Sequence, residues 1–219
     1  MKSKTLLVGC LVLLSPIIIF AAEPAAETAA ENAAENAAET AAANAAVNAR
    51  QIGLALFEFE TEFAQYPSSD SKGDVEALTN RKLPEDRKFS NDLFSQLFFG
   101  GYLVTEQSFH AVIPGCVVPD NVTTVGELLK KGENAFSYIT GLKGTGNPGI
   151  PHLMTPLIPG TTTFDPKPFN GKAVVLHTDC TVQVYEIEKD GHIYRDGINL
   201  LSSEHPIWKG KAPDIRYPE

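Results

Sequence analysis

Cysteine is scarce here, with three residues in a chain of 219, which excludes a small scaffold held together mainly by disulfides. No run of Lys and Arg interleaved with aromatics is present, and the formal net charge is -9. Such a surface repels phosphate backbones and anionic headgroups, so neither nucleic acid nor an anionic lipid surface is expected as a partner. The chain also lacks a Gly-x-Ser-x-Gly elbow, a phosphate-binding glycine loop and a dinucleotide fingerprint. His-Glu-x-x-His, clustered cysteines and an Asp-rich calcium loop are missing as well, so no cofactor and no dedicated metal site are expected.

Lys2 and Lys4 precede an apolar run from Leu6 to Phe20, which is followed by Ala21, Ala22 and Glu23. That order is the n-region, h-region and small-residue pattern of a secretory signal. At about fifteen residues the run is shorter than a comfortable membrane span, so residues 1–22 are expected to be a cleaved signal, or an anchor if cleavage fails. Leu7, Val8, Gly9 and Cys10 spell a lipobox, but most of the apolar run follows Cys10, so that thiol is read as part of the signal. The expected destination is periplasm, cell surface or medium, with membrane attachment only through an uncleaved N-terminus.

Residues 23–49 form an alanine-rich, low-complexity arm. From Ala25 to Asn48 a tetrapeptide recurs six times, beginning Ala-Ala-Glu-Thr and ending Ala-Ala-Val-Asn. Alanine favours helix, while Asn and Thr at every fourth place cost a few tenths of a kcal/mol each, roughly, and Glu pairs four apart repel. A four-residue repeat drifts by about 40° per repeat on a helix, so no straight apolar stripe is expected there. The arm is read either as a spacer or assembly element or as a solvated linker.

At Ile52 the pattern changes. Ile52, Leu56, Phe59, Phe63 and Tyr66 recur at steps of three and four, an amphipathic stripe that predicts a helix packed on a domain spanning residues 50–219. Pro67 with Ser68, Ser69 and Asp70 is expected to end it. Ser90 is placed to cap a helix carrying Leu93, Phe94, Leu97 and Phe98, stopped by Gly100 and Gly101. Further helices are expected over residues 105–111 and, from the capping-box spacing of Thr124 and Glu127, just before Gly132.

Strand signals come later. Ala135 to Ile139 alternates, and Leu153 to Ile158 reads as an edge strand limited by Pro156. Ala173 to Leu176, a turn at Asp179 and Cys180, and Thr181 to Glu188 read as an antiparallel hairpin. On its return strand Val182 and Val184 share one face and Tyr185 and Ile187 the other, which predicts a bulge or burial on both sides. A shorter strand is expected at His192 to Tyr194, and the tail with Pro206, Trp208, Pro213 and Pro218 reads as an irregular wrap. The fold class is therefore α+β: a long N-terminal helix on an antiparallel sheet, with short accessory helices.

The stretches Asn48 to Pro67, Lys131 to Ile139, Thr163 to Phe169 and Gly171 to Val182 resemble the prepilin-like proteins of planctomycetes and verrucomicrobia, and the topology resembles type II secretion pseudopilins. The resemblance implies a pilin-like globular domain and a structural, non-enzymatic role. The Gly-Phe-Thr-Leu-Ile-Glu type leader site of that family, and the long apolar helix after it, are not found in the sequence. An ordinary signal and a hydrophilic arm stand there, so filament assembly by the usual route is not implied.

Beyond the signal only Cys116 and Cys180 remain, an even pair in a chain bound for an oxidising compartment, and a disulfide between them is expected. It would close a loop of about 64 residues. His177 and Asp179, two apart on a strand and so expected on the same face, are the weak candidates for a metal site, with His192 or His205 as further ligands. The functional expectation is an exported structural or adhesive protein whose partners are further copies of itself or other envelope proteins. A binding module for a small ligand or envelope polymer, and a hydrolase with an unrecognised site, are the alternatives.

Overall fold

The computed structural model describes residues 23–85, 87–144 and 146–219; the signal expected over residues 1–22 lies outside them. The described residues begin with α1 (Glu23–Phe63), followed by α2 (Lys72–Thr79) and α3 (Ser90–Phe99). The strands are β1 (Ser137–Ile139), β2 (Pro151–Thr155), β3 (Lys172–His177), β4 (Val182–Glu186), β5 (Tyr194–Arg195), β6 (Ile198–Asn199) and β7 (Ile215–Arg216). Of the described residues, those up to Ala34 belong to one unit, in which residues 28–34 are exposed, and Glu35–Glu219 form the second. Among the described residues no helix is long and apolar enough to cross a membrane.

The second unit is an α+β domain. Its five-stranded sheet runs in the order β4-β3-β2-β1-β7, with antiparallel neighbours throughout, and β5 and β6 make a separate two-stranded ribbon. Side chains alternate across the sheet because successive residues of a strand face opposite ways. Tyr138, Leu153, Val174 and Leu176 face the cluster that holds α1 and α3, whereas Ile139, Met154, Ala173 and Val175 face Phe164, Ile193, Leu200, Leu201 and Trp208. Both faces are covered, which is why β3 reads as an unbroken apolar run instead of an alternating one.

The expected seam is formed. Ile52, Leu56 and Phe59 are buried, and the same stripe continues backwards through Ala49, Ala45, Ala42 and Ala41. The packed domain thus begins near Glu35, not at residue 50, because half of the arm contributes alanines to the core. Gly53 marks a close approach: a Cβ there would lie 2.8 Å from Leu176 Cδ1. Lys172 Nζ meets Glu39 at 3.1 Å, so one of the arm's carboxylates pairs with the edge of β3. The helix ends at Phe63, with Ala64 in the left-handed region at φ 54, before Pro67 is reached.

Other boundaries differ from expectation. Ser90 begins α3 but does not cap it; Phe89 holds that position, and Asp92 accepts from the backbone N–H groups of Arg87 (2.9 Å) and Phe89 (3.1 Å). Ser90 Oγ instead donates to the Phe136 carbonyl at 2.9 Å. The helix expected over 105–111 is a single 3-10 turn at Glu106–Phe109, capped by Thr105. Residues 124–129 make turns only, with the Leu128 N–H on the Thr124 carbonyl at 3.1 Å, since one turn is too short to propagate as a helix.

Far from being an edge, β2 is interior, because Pro156 follows the strand and its register irregularity falls between Pro151 and Leu153. The β3–β4 hairpin keeps continuous register without a bulge. Val182 packs partly toward the α1 side and Tyr185 and Ile187 partly on the other, while Val184 is 50% exposed, so neither a bulge nor burial on both sides is found: β4 is a half-exposed edge strand. The expected strand at 192–194 starts later, at Tyr194. The tail is not wholly irregular: β7 pairs with β1 and completes the sheet.

Candidate functional site

The two metal candidates do not converge. His177 ends β3 and is buried; its Nδ1 meets the Gly149 carbonyl at 2.9 Å and its Nε2 the Tyr185 hydroxyl at 3.0 Å. Burial holds its pKa below the ordinary value against the opposing pull of that carbonyl. Asp179 lies in the exposed turn beyond the strand, where it accepts from the N–H (2.9 Å) and hydroxyl (2.6 Å) of Thr181. His192 stands 3.4 Å from Asp190, and His205 Nδ1 accepts from the Ile207 N–H at 3.3 Å. The expected same-face pairing fails because the hairpin turn begins one residue after His177.

Nor is the expected disulfide formed. Cys116 and Cys180 are both free thiols. Cys180 occupies the left-handed position of the β3–β4 turn, at φ 64, and its Sγ lies 3.5 Å from the Gly53 carbonyl of α1. Cys116 instead sits among Ile113, Val117 and Gly132 on the wall of a different groove. Burial raises both thiol pKa values, with Asp179 adding to the effect at Cys180, so each is a poor nucleophile in the folded state. Alkylation in denaturant without reductant is expected to label both; a species that labels only after reduction would contradict these positions.

Two of the open grooves among the described residues lie beside the cysteines. The larger, about 490 Å³, lies between Ile113–Val117 and Pro156–Pro159, with Lys131, Asp165 and Glu219 as its charged groups. The second, about 400 Å³, is bounded by Leu54, Phe57 and Glu60 of α1 together with Tyr66, Asp179 and Cys180. Leu54 and Phe57 are each more than half exposed, at 54% and 53%. Tyr66 has its hydroxyl pKa pushed up to about 12 by burial and by the nearby Glu60 charge.

The most unusual charge arrangement lies elsewhere. Oxygens of Glu106, Asp120 and Glu133 come within 4.8 Å of one another, although 27 positions separate the outer two in sequence. Glu106 Oε1 accepts from the Leu129 N–H at 2.5 Å, while Oε2 is buried without a hydrogen-bond partner. Glu133, also buried, accepts from the N–H groups of Asp120 (3.2 Å) and Lys130 (2.7 Å). Asp120 is exposed and pairs with Lys130 Nζ at 2.8 Å. Burial, followed by the Glu133 and Asp120 charges, raises the Glu106 pKa despite the opposing Leu129 N–H. No local motif announces this trio, because only the folding of the loop between α3 and β1 brings it together.

Comparison with protein-family models, curated proteins and solved structures gave no match.

Proposed function

We propose that this chain is an exported, non-enzymatic, pilin-like protein of the cell envelope with a structural or adhesive role, its partners being further copies or other envelope proteins. The observation that carries the reading is the buried stripe of α1 lying on one face of a five-stranded antiparallel sheet. A long N-terminal helix seated in this way is the arrangement that the prepilin-like resemblance implies. The signal pattern of residues 1–22 supplies the route out of the cytoplasm.

A hydrolase would require perturbed acids or histidines converging on a groove. Glu106, His152 and His177, whose pKa values are displaced, line neither of these two grooves, and Asp179, the displaced carboxylate beside the second, is tied to the N–H and hydroxyl of Thr181. The second reading, a binding module for a small ligand, is favoured by the volume and apolar walls of the groove beside Cys116.

Fractionation of the native host with N-terminal sequencing of the recovered protein tests the proposal. Recovery from the envelope or the medium is the expected result. A cytosolic chain beginning at Met1 would overturn it.

A further inference from the structure

We propose that Glu106, Asp120 and Glu133 form a binding site for one hard divalent cation, calcium by its dimensions. Three carboxylates with oxygens within 4.8 Å of one another have the spacing that ligands take around a single ion: calcium binds oxygen at about 2.3–2.6 Å, so opposite ligands stand roughly 4.6–5.2 Å apart. Magnesium, at about 2.0–2.1 Å, asks for a tighter and more regular shell. An all-oxygen donor set also selects against zinc and copper, which favour nitrogen and sulfur.

The acidic cluster alone would carry no such meaning if all its members were solvated. Glu106, however, is 0% exposed, and its Oε2 has no hydrogen-bond partner. A buried carboxylate oxygen beside a second buried carboxylate, Glu133, carries an electrostatic cost that a compensating positive charge, a proton or a bound cation, would offset. The ammonium of Lys130 does not supply it at that point: its ion pairs are with Asp120 at 2.8 Å and Glu127 at 2.7 Å, and its side chain is 40% exposed. A cation between Glu106 and Glu133, reached from the exposed Asp120, would satisfy the orphaned oxygen and offset both buried charges. Glu133 is already anchored by two backbone N–H groups, so the site is partly organised before any ion arrives.

The test uses the full chain, stripped with chelator and then titrated with calcium chloride, with magnesium chloride as the comparison. For a site of few protein ligands the Kd expected is about 0.1 mM, and 10 mM calcium should then raise the melting temperature by about 5 °C. Isothermal calorimetry should give a single binding event. Glu106→Gln keeps the side-chain shape, removes the buried charge and should abolish both signals. Asp120→Asn, at an exposed position, should weaken binding at least tenfold and decides the matter if the first variant fails to fold. An unchanged melting temperature and no binding heat for the unsubstituted protein would overturn the proposal, and so would a full calcium response in both variants.

Discussion

Replacing Phe59 by alanine is expected to lower stability by about 3–5 kcal/mol, and the melting temperature by roughly 10 °C. The ring is fully buried. It packs against Phe63 at 4.5 Å and edge-on to Tyr102 at 5.5 Å between centroids. Truncation removes these contacts and leaves a cavity in the core cluster beneath α1, because close-packed neighbours collapse into it only in part. Phe57, two residues earlier on the same helix, is 53% exposed; its alanine variant should stay within about 0.5 kcal/mol of the parent. Urea denaturation of both variants makes the comparison, and equal losses would show that the helix does not lie on the sheet by this face.

Acidification is expected to lower the stability of the domain before most of its carboxylates titrate. His152 on β2 is 1% exposed, lies against Tyr66 at 4.2 Å and Tyr138 at 4.9 Å between ring centroids, and has no partner for Nε2. Burial pushes its pKa down from 6.5 to about 3. The folded state therefore requires the neutral imidazole, while the unfolded chain takes up a proton near pH 6.5 and gains about 1.4 kcal/mol per pH unit below it. The stability that neutral His152 carries is fully present above pH 6.5 and is lost progressively as the pH falls toward 3. Between pH 6.5 and 4.5 the loss from this residue should be about 2–3 kcal/mol.

His177, also held below its ordinary pKa by burial, acts in the same direction. Glu106, held above its ordinary value, opposes both, since protonation relieves its burial cost. The difference between the parent and His152→Phe isolates the histidine. The variant's stability should fall less steeply over this interval by about 2–3 kcal/mol, read from urea midpoints at each pH. Parallel pH profiles for the two proteins would refute the assignment.

The seam of Ile52, Leu56 and Phe59 is readable in the sequence because large apolar residues at steps of three and four align on one face of a helix and scatter over both faces of a strand. Its continuation through Ala45, Ala42 and Ala41 is not, for a geometric reason. Steps of four along this repeat keep landing on alanine, and Ala49, Ala45 and Ala41 with Ala42 beside them supply a short alanine face although the repeat itself drifts around the helix. Small residues also let α1 approach the sheet closely, as Gly53 does against Leu176. A repeat that denies large residues a straight stripe thus still offers alanines to the core over its last two turns before Ile52.

The β3–β4 hairpin is legible from its apolar runs and turn, but the place of β2 is not. Pro156 argues for an edge, yet it falls just after the last paired residue, where its missing N–H removes nothing from the ladder. Short elements leave too little signal: β7 is two residues among prolines, and α2 carries a single buried residue, Val75. The acidic trio is invisible for a different reason. Carboxylates at positions 106, 120 and 133 have no fixed spacing to recognise, and their meeting depends on Glu133 tying the Asp120 and Lys130 backbones together. The cysteine pairing fails for the complementary reason, since counting thiols says nothing of where the chain puts them.

Hydrogen exchange followed by mass spectrometry tests most directly whether α1 is seated on the sheet through residues 45–59. The amides of that segment should exchange as slowly as those of β3 (Lys172–His177), with both released together on global unfolding. Exchange of residues 45–59 within seconds, while β3 stays protected, would contradict the packing from which the fold and the functional reading follow.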